Sequence, residues 1–449
     1  MAANPAIDPL RLQLAGGPQP ARALAQALGV SQPTLSRRLA ALGSEVVRIG
    51  AARSIQYALR DTARALPDIP VYRVDAVGQL QPLGTLVPVR PDGFVMQTPA
   101  GETHHTPGLP WWLLDMRPQG YLGRAYVARH GSALGLPPRL ADWSDTHALR
   151  ALLAQGHDPV GNLLLGDAAR AQFLAAAVSP PIPQTGKATA YPRLAREAAQ
   201  GESPGSSAGG EQPKFTAWAD TAAGPRHVIV KFSEPEPGPV TQRWRDLLLA
   251  EHLALQTLAD AGVPAARTAL LDAAGQRFLE AERFDRVDTL GRRGLLSLTA
   301  LDAEFVGGGA APWPVTVQRL ADAGHVRADA VQGAALLWAF GTLVGNTDMH
   351  AGNLSFMTEE GRPWALAPAY DMTPMAFAPR SGGGLPGTLA PAHLHASVGH
   401  NTWRQADALA TQFLARAREA DGFSRRFAPC LTALGAHQQE AREKMARLG

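Results

Sequence analysis

Asp348, Asn353 and Asp371 follow one another along the chain, and each carries a side-chain oxygen able to take a proton or hold a hard cation. Asp348 and Asn353 stand in D-x-x-x-x-N spacing within Asn346-Thr347-Asp348-Met349-His350-Ala351-Gly352-Asn353, and Asp371 closes the pair Tyr370-Asp371. Phosphoryl transfer needs an aspartate to orient and deprotonate a hydroxyl, with an amide and a second carboxylate to hold Mg²⁺ against nucleotide phosphates. Mg²⁺ is small and hard, so Asp and Asn oxygens suit it and thiols do not. Asp and Asn are also ordinary turn residues, and D-x-x-x-x-N alone is a common pattern. The weight therefore rests on the elements around it.

Residues 336–344 are apolar, with Leu336, Phe340 and Leu343 at helical spacing, which predicts a helix with a buried face. After the polar loop, Leu354-Ser355-Phe356, a turn at Gly361 and Trp364-Ala365-Leu366-Ala367 predict a hairpin leading to Asp371.

Further up the chain, 201–215 is rich in glycine, which lets backbone N–H groups approach phosphates. On composition alone it also fits a linker. Lys231 ends the strand-like run His227-Val228-Ile229-Val230, where a phosphate-binding lysine would sit; an edge-strand lysine is the plainer alternative. Residues 247–261 predict an amphipathic helix carrying Glu251, either the partner of such a lysine or a solvated charge. Residues 278–285 predict a strand running into a hinge. This order, from Gly-rich loop to final aspartate, reads as an α+β, two-lobed protein-kinase-like fold.

Residues 1–60 predict a separate small domain. Leu10, Leu12 and Leu14 mark a first helix, and 21–28 a second that breaks at Gly29. Ser31 caps a third helix through Leu42, with Leu35, Leu39 and Leu42 inward. Its other face carries Gln32, Thr34, Ser36, Arg37 and Arg38. Residues 46–49 and 55–59 then alternate like a hairpin. This is the pattern of a winged helix-turn-helix, with the third helix toward the major groove and Arg48 and Arg53 toward phosphates. A dimerising helical bundle is the structural alternative.

The 449 residues suffice for several domains, and 45% apolar against 18% charged residues predicts a folded chain. A net charge of +3 permits nucleic-acid contact without demanding it. A single cysteine, Cys430, excludes a disulfide framework. No signal peptide or membrane span is expected, which makes a cytoplasmic protein the default. Residues 61–165 are the least informative: Trp111-Trp112-Leu113-Leu114 predicts core, and His104-His105 a surface pair in a polar loop. Residues 378–387, rich in Gly and Pro, are expected to be mobile.

At Ser206-Ser207-Ala208-Gly209-Gly210-Glu211-Gln212-Pro213-Lys214, Val228-Ile229-Val230-Lys231-Phe232, Ala281-Glu282-Arg283-Phe284-Asp285-Arg286, the 346–356 stretch and Ala369-Tyr370-Asp371, the chain resembles the HipA family of serine/threonine protein kinases from bacterial toxin–antitoxin systems. The helix-turn-helix resembles its YjjJ-like branch, in which DNA-binding and kinase regions share one chain. The resemblance implies ATP and Mg²⁺ as cofactors. Ser207, Ala208, Gly209, Gly210, Lys231, Glu282, Phe284, His350, Asn353 and Asp371 would bind them, with Asn353 and Asp371 on the metal and Asp348 as catalytic base. It also implies autophosphorylation at Ser206 or Ser207, which silences the kinase.

The implied partners are double-stranded DNA, a protein substrate such as an aminoacyl-tRNA synthetase or another translation component, and a second copy of the chain. The expected domains are 1–62, a winged helix-turn-helix; 63–165, a β-rich subdomain; 166–288, the kinase N-lobe; and 289–449, the helical C-lobe. A nucleotide-sensing transcription regulator and a small-molecule kinase of the aminoglycoside type are the alternatives.

Overall fold

The computed structural model describes residues 8–51, 54–175, 180–200 and 212–448. At the N-terminus α1 (Pro9–Ala15), β1 (Gln19–Pro20), α2 (Ala21–Leu28) and α3 (Gln32–Leu42) lead into the hairpin β2 (Val46–Ile49) and β3 (Gln56–Leu59). Ser31 caps α3 by accepting the Thr34 N–H at 3.4 Å. Gly29 takes φ +63° in the turn from α2 to α3, a left-handed conformation that a side chain would strain. Leu10, Leu14, Leu24, Leu35, Leu39 and Leu42 form the core of this unit, and each leucine buried contributes roughly 1.5–3 kcal/mol. Leu12 points to solvent.

The hairpin is not free. Val47, Ile49 and Ala58 share a buried cluster with Val87, Val89 and Val95 of the next domain. The Arg90 N–H donates to Leu59 O at 2.8 Å, the Asp61 N–H to Pro88 O at 2.9 Å and the Gly50 N–H to Thr103 Oγ1 at 2.7 Å.

That next domain is an antiparallel sheet of β4 (Ile69–Val74), β5 (Leu80–Val89), β6 (Gly93–Gln97), β7 (Thr103–Thr106) and β8 (Leu163–Leu165), in the order β7-β6-β5-β4-β8. Alternation splits its faces: Val87 and Val95 meet the hairpin, while Leu86 and Phe94 pack with Leu113 and Leu149. The chain between β7 and β8 supplies a helical turn, Trp111–Met116, and helices α4 (Gly120–His130) and α5 (Asp145–Gln155); α6 (Gly166–Ala175) follows β8. His104 and His105 lie in β7, not in a loop as the sequence suggested, because β7 pairs with β6. Trp111 packs on Phe305 and Trp364 of the C-terminal lobe, with ring centroids 5.1 and 6.1 Å away.

After α7 (Lys187–Ala199) comes the sheet of β9 (Lys214–Thr221), β10 (Gly224–Phe232), β11 (Thr268–Ala273) and β12 (Gln276–Glu282), ordered β11-β12-β10-β9. Helix α8 (Pro239–Asp260) lies between β10 and β11. It begins eight residues before the predicted 247, and the added turns carry Arg243 and Asp246, which are buried with partners. Arg243 donates to Phe377 O and Pro386 O at 2.9 and 2.7 Å, and Asp246 accepts from the Ser424 N–H and hydroxyl at 2.8 and 2.6 Å. The same Arg243 bonds reach Phe377, just before the 378–387 segment expected to be mobile, and Pro386 near its end.

Strands β13 (Arg286–Val287) and β14 (Gly291–Arg292) connect to the larger lobe: β15 (Leu295–Ser297), α9 (Leu298–Phe305), α10 (Trp313–Asp322), α11 (Ala328–Leu343), β16 (Ser355–Met357), β17 (Ala365–Leu366), α12 (His400–Glu419) and α13 (Ala428–Leu448). Its core is the largest in the molecule and surrounds α11. Among the described residues no helix is long and apolar enough to cross a membrane.

Candidate active site

Lys231 stands on β10 directly opposite Lys214 of β9 and Leu279 of β12. Like charges opposed across a ladder repel, and both lysines are buried, so carboxylates must answer them. Glu251 on α8 accepts from Lys231 Nζ at 2.6 and 2.9 Å, and Thr373 Oγ1 holds the same carboxylate at 2.7 Å. Asp371 is a further acceptor for Lys231 Nζ. Burial alone would lower the Lys231 ammonium; Asp371 and Glu251 outweigh it and raise the pKa above the ordinary lysine value. Burial alone would raise the Asp371 carboxyl; Lys231 and then Lys214 hold it below its ordinary range.

Asp371 has φ +54°, an uncommon conformation for a residue with a side chain. Its approach is fixed by the Ala266 N–H donating to Ala369 O at 2.9 Å and the Ala369 N–H to Pro264 O at 2.8 Å, which tie it to the chain leaving α8. Asn346 fixes it from the other side. This buried amide donates to Asp371 O at 3.0 Å and accepts the Asp348 N–H at 3.0 Å, joining the loop after α11 to the segment bearing Asp371. Asn353 Nδ2 donates to Asp348 O at 2.8 Å, closing the same loop. His350 Nδ1 accepts the Gly352 N–H at 3.0 Å, which leaves Nε2 to carry the proton of the neutral ring. A Cβ at Gly352 would lie 2.8 Å from that imidazole, so a side chain there would push the ring out of this position.

These groups meet at a cavity of about 420 Å³ between the lobes. Lys231, Glu251, Asn353 and Asp371 line it, as do His350 and Glu282 and Phe284, the residues expected at a hinge. The Phe284 ring lies 5.9 Å from that of Tyr370, whose hydroxyl donates to Gly352 O at 2.8 Å. The Glu282 carboxylate turns away to accept from Thr221 Oγ1 at 2.9 Å. Asp348 is exposed and does not line the cavity; it stands on the loop beside it. Ser206, Ser207, Ala208, Gly209 and Gly210, and likewise Arg53, lie outside the described residues.

Sequence reasoning missed Lys214 at the cavity wall, the Asn346 clamp, and a wall contributed by Asp115, Arg117 and Gln119 of the β-rich domain. It also read the 281–286 stretch only as a hinge. Arg283 and Arg286 instead turn into a buried ion network with Asp285 and with Asp158 from the β-rich domain. Arg283 meets Asp158 at 2.9 Å and Asp285 at 3.0 Å; Arg286 meets them at 2.7 and 2.8 Å. Burial would raise the Asp158 carboxyl, but Arg283 and Arg286 drive it well below the carboxylate range. Asp285 is held at about 2 by the same pair against its own burial.

Asn353 and Asp371 both line the cavity, and their side-chain oxygens are of the hard kind that would suit Mg²⁺. Among the described residues no group of three or more His, Cys, Asp or Glu could hold a metal by itself.

The YjjJ-like toxin middle domain matches residues 65–174, and the HipA-like C-terminal domain matches 206–445. Toxin YjjJ of Escherichia coli (strain K12) is 40% identical over 435 residues, covering 96% of this chain and 98% of that one. A chain of the Shewanella oneidensis MR-1 complex of HipA, HipB and operator DNA shares the fold, with a TM-score of 0.50 at 14% identity, over 84% of this chain and 97% of the other.

Proposed function

The chain belongs to the HipA family of toxins, in its YjjJ-like branch, and from that premise we propose that it is an ATP- and Mg²⁺-dependent serine/threonine protein kinase with its own DNA-binding head. One observation carries the reading: Lys231 reaches Glu251 and Asp371 together, at a cavity that Asn353 also lines. Bound Mg²⁺ would neutralise charge on the β- and γ-phosphates, held by Asp371 and Asn353. Lys231 and Lys214 supply positive charge for the phosphates, and Phe284 an apolar edge for adenine. Asp348 accepts the hydroxyl proton of the protein acceptor as the hydroxyl oxygen attacks the γ-phosphorus and the bond to the β–γ bridging oxygen breaks, releasing ADP.

Autophosphorylation at Ser206 or Ser207 would add about two negative charges beside the nucleotide phosphates, so repulsion gives a physical reason for silencing. Translation components such as aminoacyl-tRNA synthetases are the first acceptors to test.

The full chain incubated with γ-labelled ATP and Mg²⁺ is expected to transfer label to protein, and EDTA to abolish the transfer. Label carried only by a small metabolite would favour a small-molecule kinase. Bound nucleotide without any transfer would favour a sensor.

The DNA-binding part rests on α3. Gln32, Ser36, Arg37 and Arg38 are exposed on it, and Thr34 is half-buried against Ser31. Arg48 is exposed on the hairpin, whose other face is covered. The Shewanella oneidensis structure compared above is a complex of HipA, HipB and operator DNA. Replacing Arg37 and Arg38 together with alanine is expected to weaken duplex binding and to lower its salt dependence by about two phosphate contacts. Unchanged affinity at low salt would count against this face.

A further inference from the structure

The cavity wall is built by three parts of the chain, and one belongs to neither lobe. Asp115, Arg117 and Gln119 reach it from the β-rich domain. Asp115 accepts the Ser297 N–H at 2.7 Å and the Ser297 hydroxyl at 2.6 Å, fixing this segment against the capping residue of α9. The Arg117 guanidinium is held by Asp145 at 2.8 Å and by the Trp143 carbonyl at 3.4 Å. A guanidinium has five N–H donors, so these bonds orient it without exhausting it. Gln119 is exposed, at the start of α4.

This placement answers a question that the kinase reading leaves open. With the base at Glu282 and Phe284 and the phosphates at Lys231, the ribose must lie along the remaining wall. That wall includes the start of α9, with Ser297 and Thr299, and the 115–119 segment docked onto it, which carries Arg117 and Gln119. A ribose diol both donates and accepts hydrogen bonds; the glutamine amide matches it in both senses, and a guanidinium donates to it.

We propose that Gln119 and Arg117 bind the ribose hydroxyls of the nucleotide, making the β-rich domain a specificity-determining wall of the nucleotide site. The proposal rests on the kinase reading above, and its test separates the two. Dissociation constants of the full chain for ATP, 2′-deoxy-ATP and 3′-deoxy-ATP, each with Mg²⁺, are compared among wild type, Gln119→Ala and Arg117→Ala. One hydrogen bond is worth about fivefold in affinity. Wild type is therefore expected to bind at least one deoxy analogue more weakly than ATP by that factor. Each variant is expected to weaken ATP similarly while leaving affinity for that analogue unmoved. Gln119 is exposed, so its variant should keep the wild-type melting temperature, which guards against a folding artefact. ATP binding with no discrimination in wild type, or variants that match wild type on all ligands, would overturn the ribose assignment alone. A wild-type chain that binds no ATP would overturn the kinase reading as well.

Discussion

Replacing Asp348 with alanine is expected to lower phosphoryl transfer by a factor of about 10²–10⁴ while leaving the melting temperature unchanged. The two halves of that expectation have different origins. Loss of rate follows from removing the group proposed to take the hydroxyl proton. Retention of fold follows from exposure: Asp348 enters the loop through its backbone, its N–H donating to Asn346 Oδ1 and its carbonyl accepting from Asn353 Nδ2. Alanine keeps both backbone bonds, and exposed substitutions away from buried features usually stay within about 0.5 kcal/mol. Asp371 makes the contrast. Its carboxylate holds Lys231, so removing it would disturb a buried ion pair along with any metal site. The discriminating measurement is label transfer alongside calorimetry, and retained autophosphorylation in the Asp348→Ala chain would refute its assignment as base.

A large stability effect is expected at the joint between the β-rich domain and the rest of the chain. Asp158 answers Arg283 and Arg286, both buried. Asp158→Ala leaves those guanidinium groups with Asp285 as their shared carboxylate, and breaking a buried pair in this way costs about 3–5 kcal/mol. Differential scanning calorimetry should show the transition containing this joint several degrees lower. The pH dependence has a definite sign. The folded-state pKa of Asp158 lies below its ordinary value, so its contribution is complete above the ordinary carboxylate pKa of about 3.9 and fades as pH falls below it. Wild type should therefore lose stability in acid more steeply than Asp158→Asn. Identical acid profiles would show that the network contributes nothing at this joint.

Local signals were legible where a residue's role is set by its neighbours in sequence. Ser31 and Gly29 delimit the start of α3, and the alternation in 46–49 and 55–59 marks the hairpin. Lys231 at the end of an apolar run, and the D-x-x-x-x-N loop after an apolar helix, are likewise short-range patterns. What stayed hidden depends on distant partners. Asn346 looks like any loop asparagine until its amide bridges Asp348 and Asp371. The first turns of α8 were not predicted, and the partners of Arg243 and Asp246 there, Pro386 and Ser424, lie more than a hundred residues later. Asp158 and Arg283 are 125 residues apart, and the Asp115–Ser297 contact spans 182. Neither separation leaves a periodic trace in the sequence.

The valines shared by hairpin and sheet make the chain hard to divide. A cut near residue 62, where a linker might be sought, would lay bare Val87, Val89 and Val95 on adjoining strands, and strip the cover from Val47, Ile49 and Ala58 on the other fragment. Each piece would carry a sticky β surface of the kind that drives strand-to-strand aggregation. Truncation is thus a poor tool for assigning activities to parts of this molecule, and point substitutions within the intact polypeptide are the sounder route.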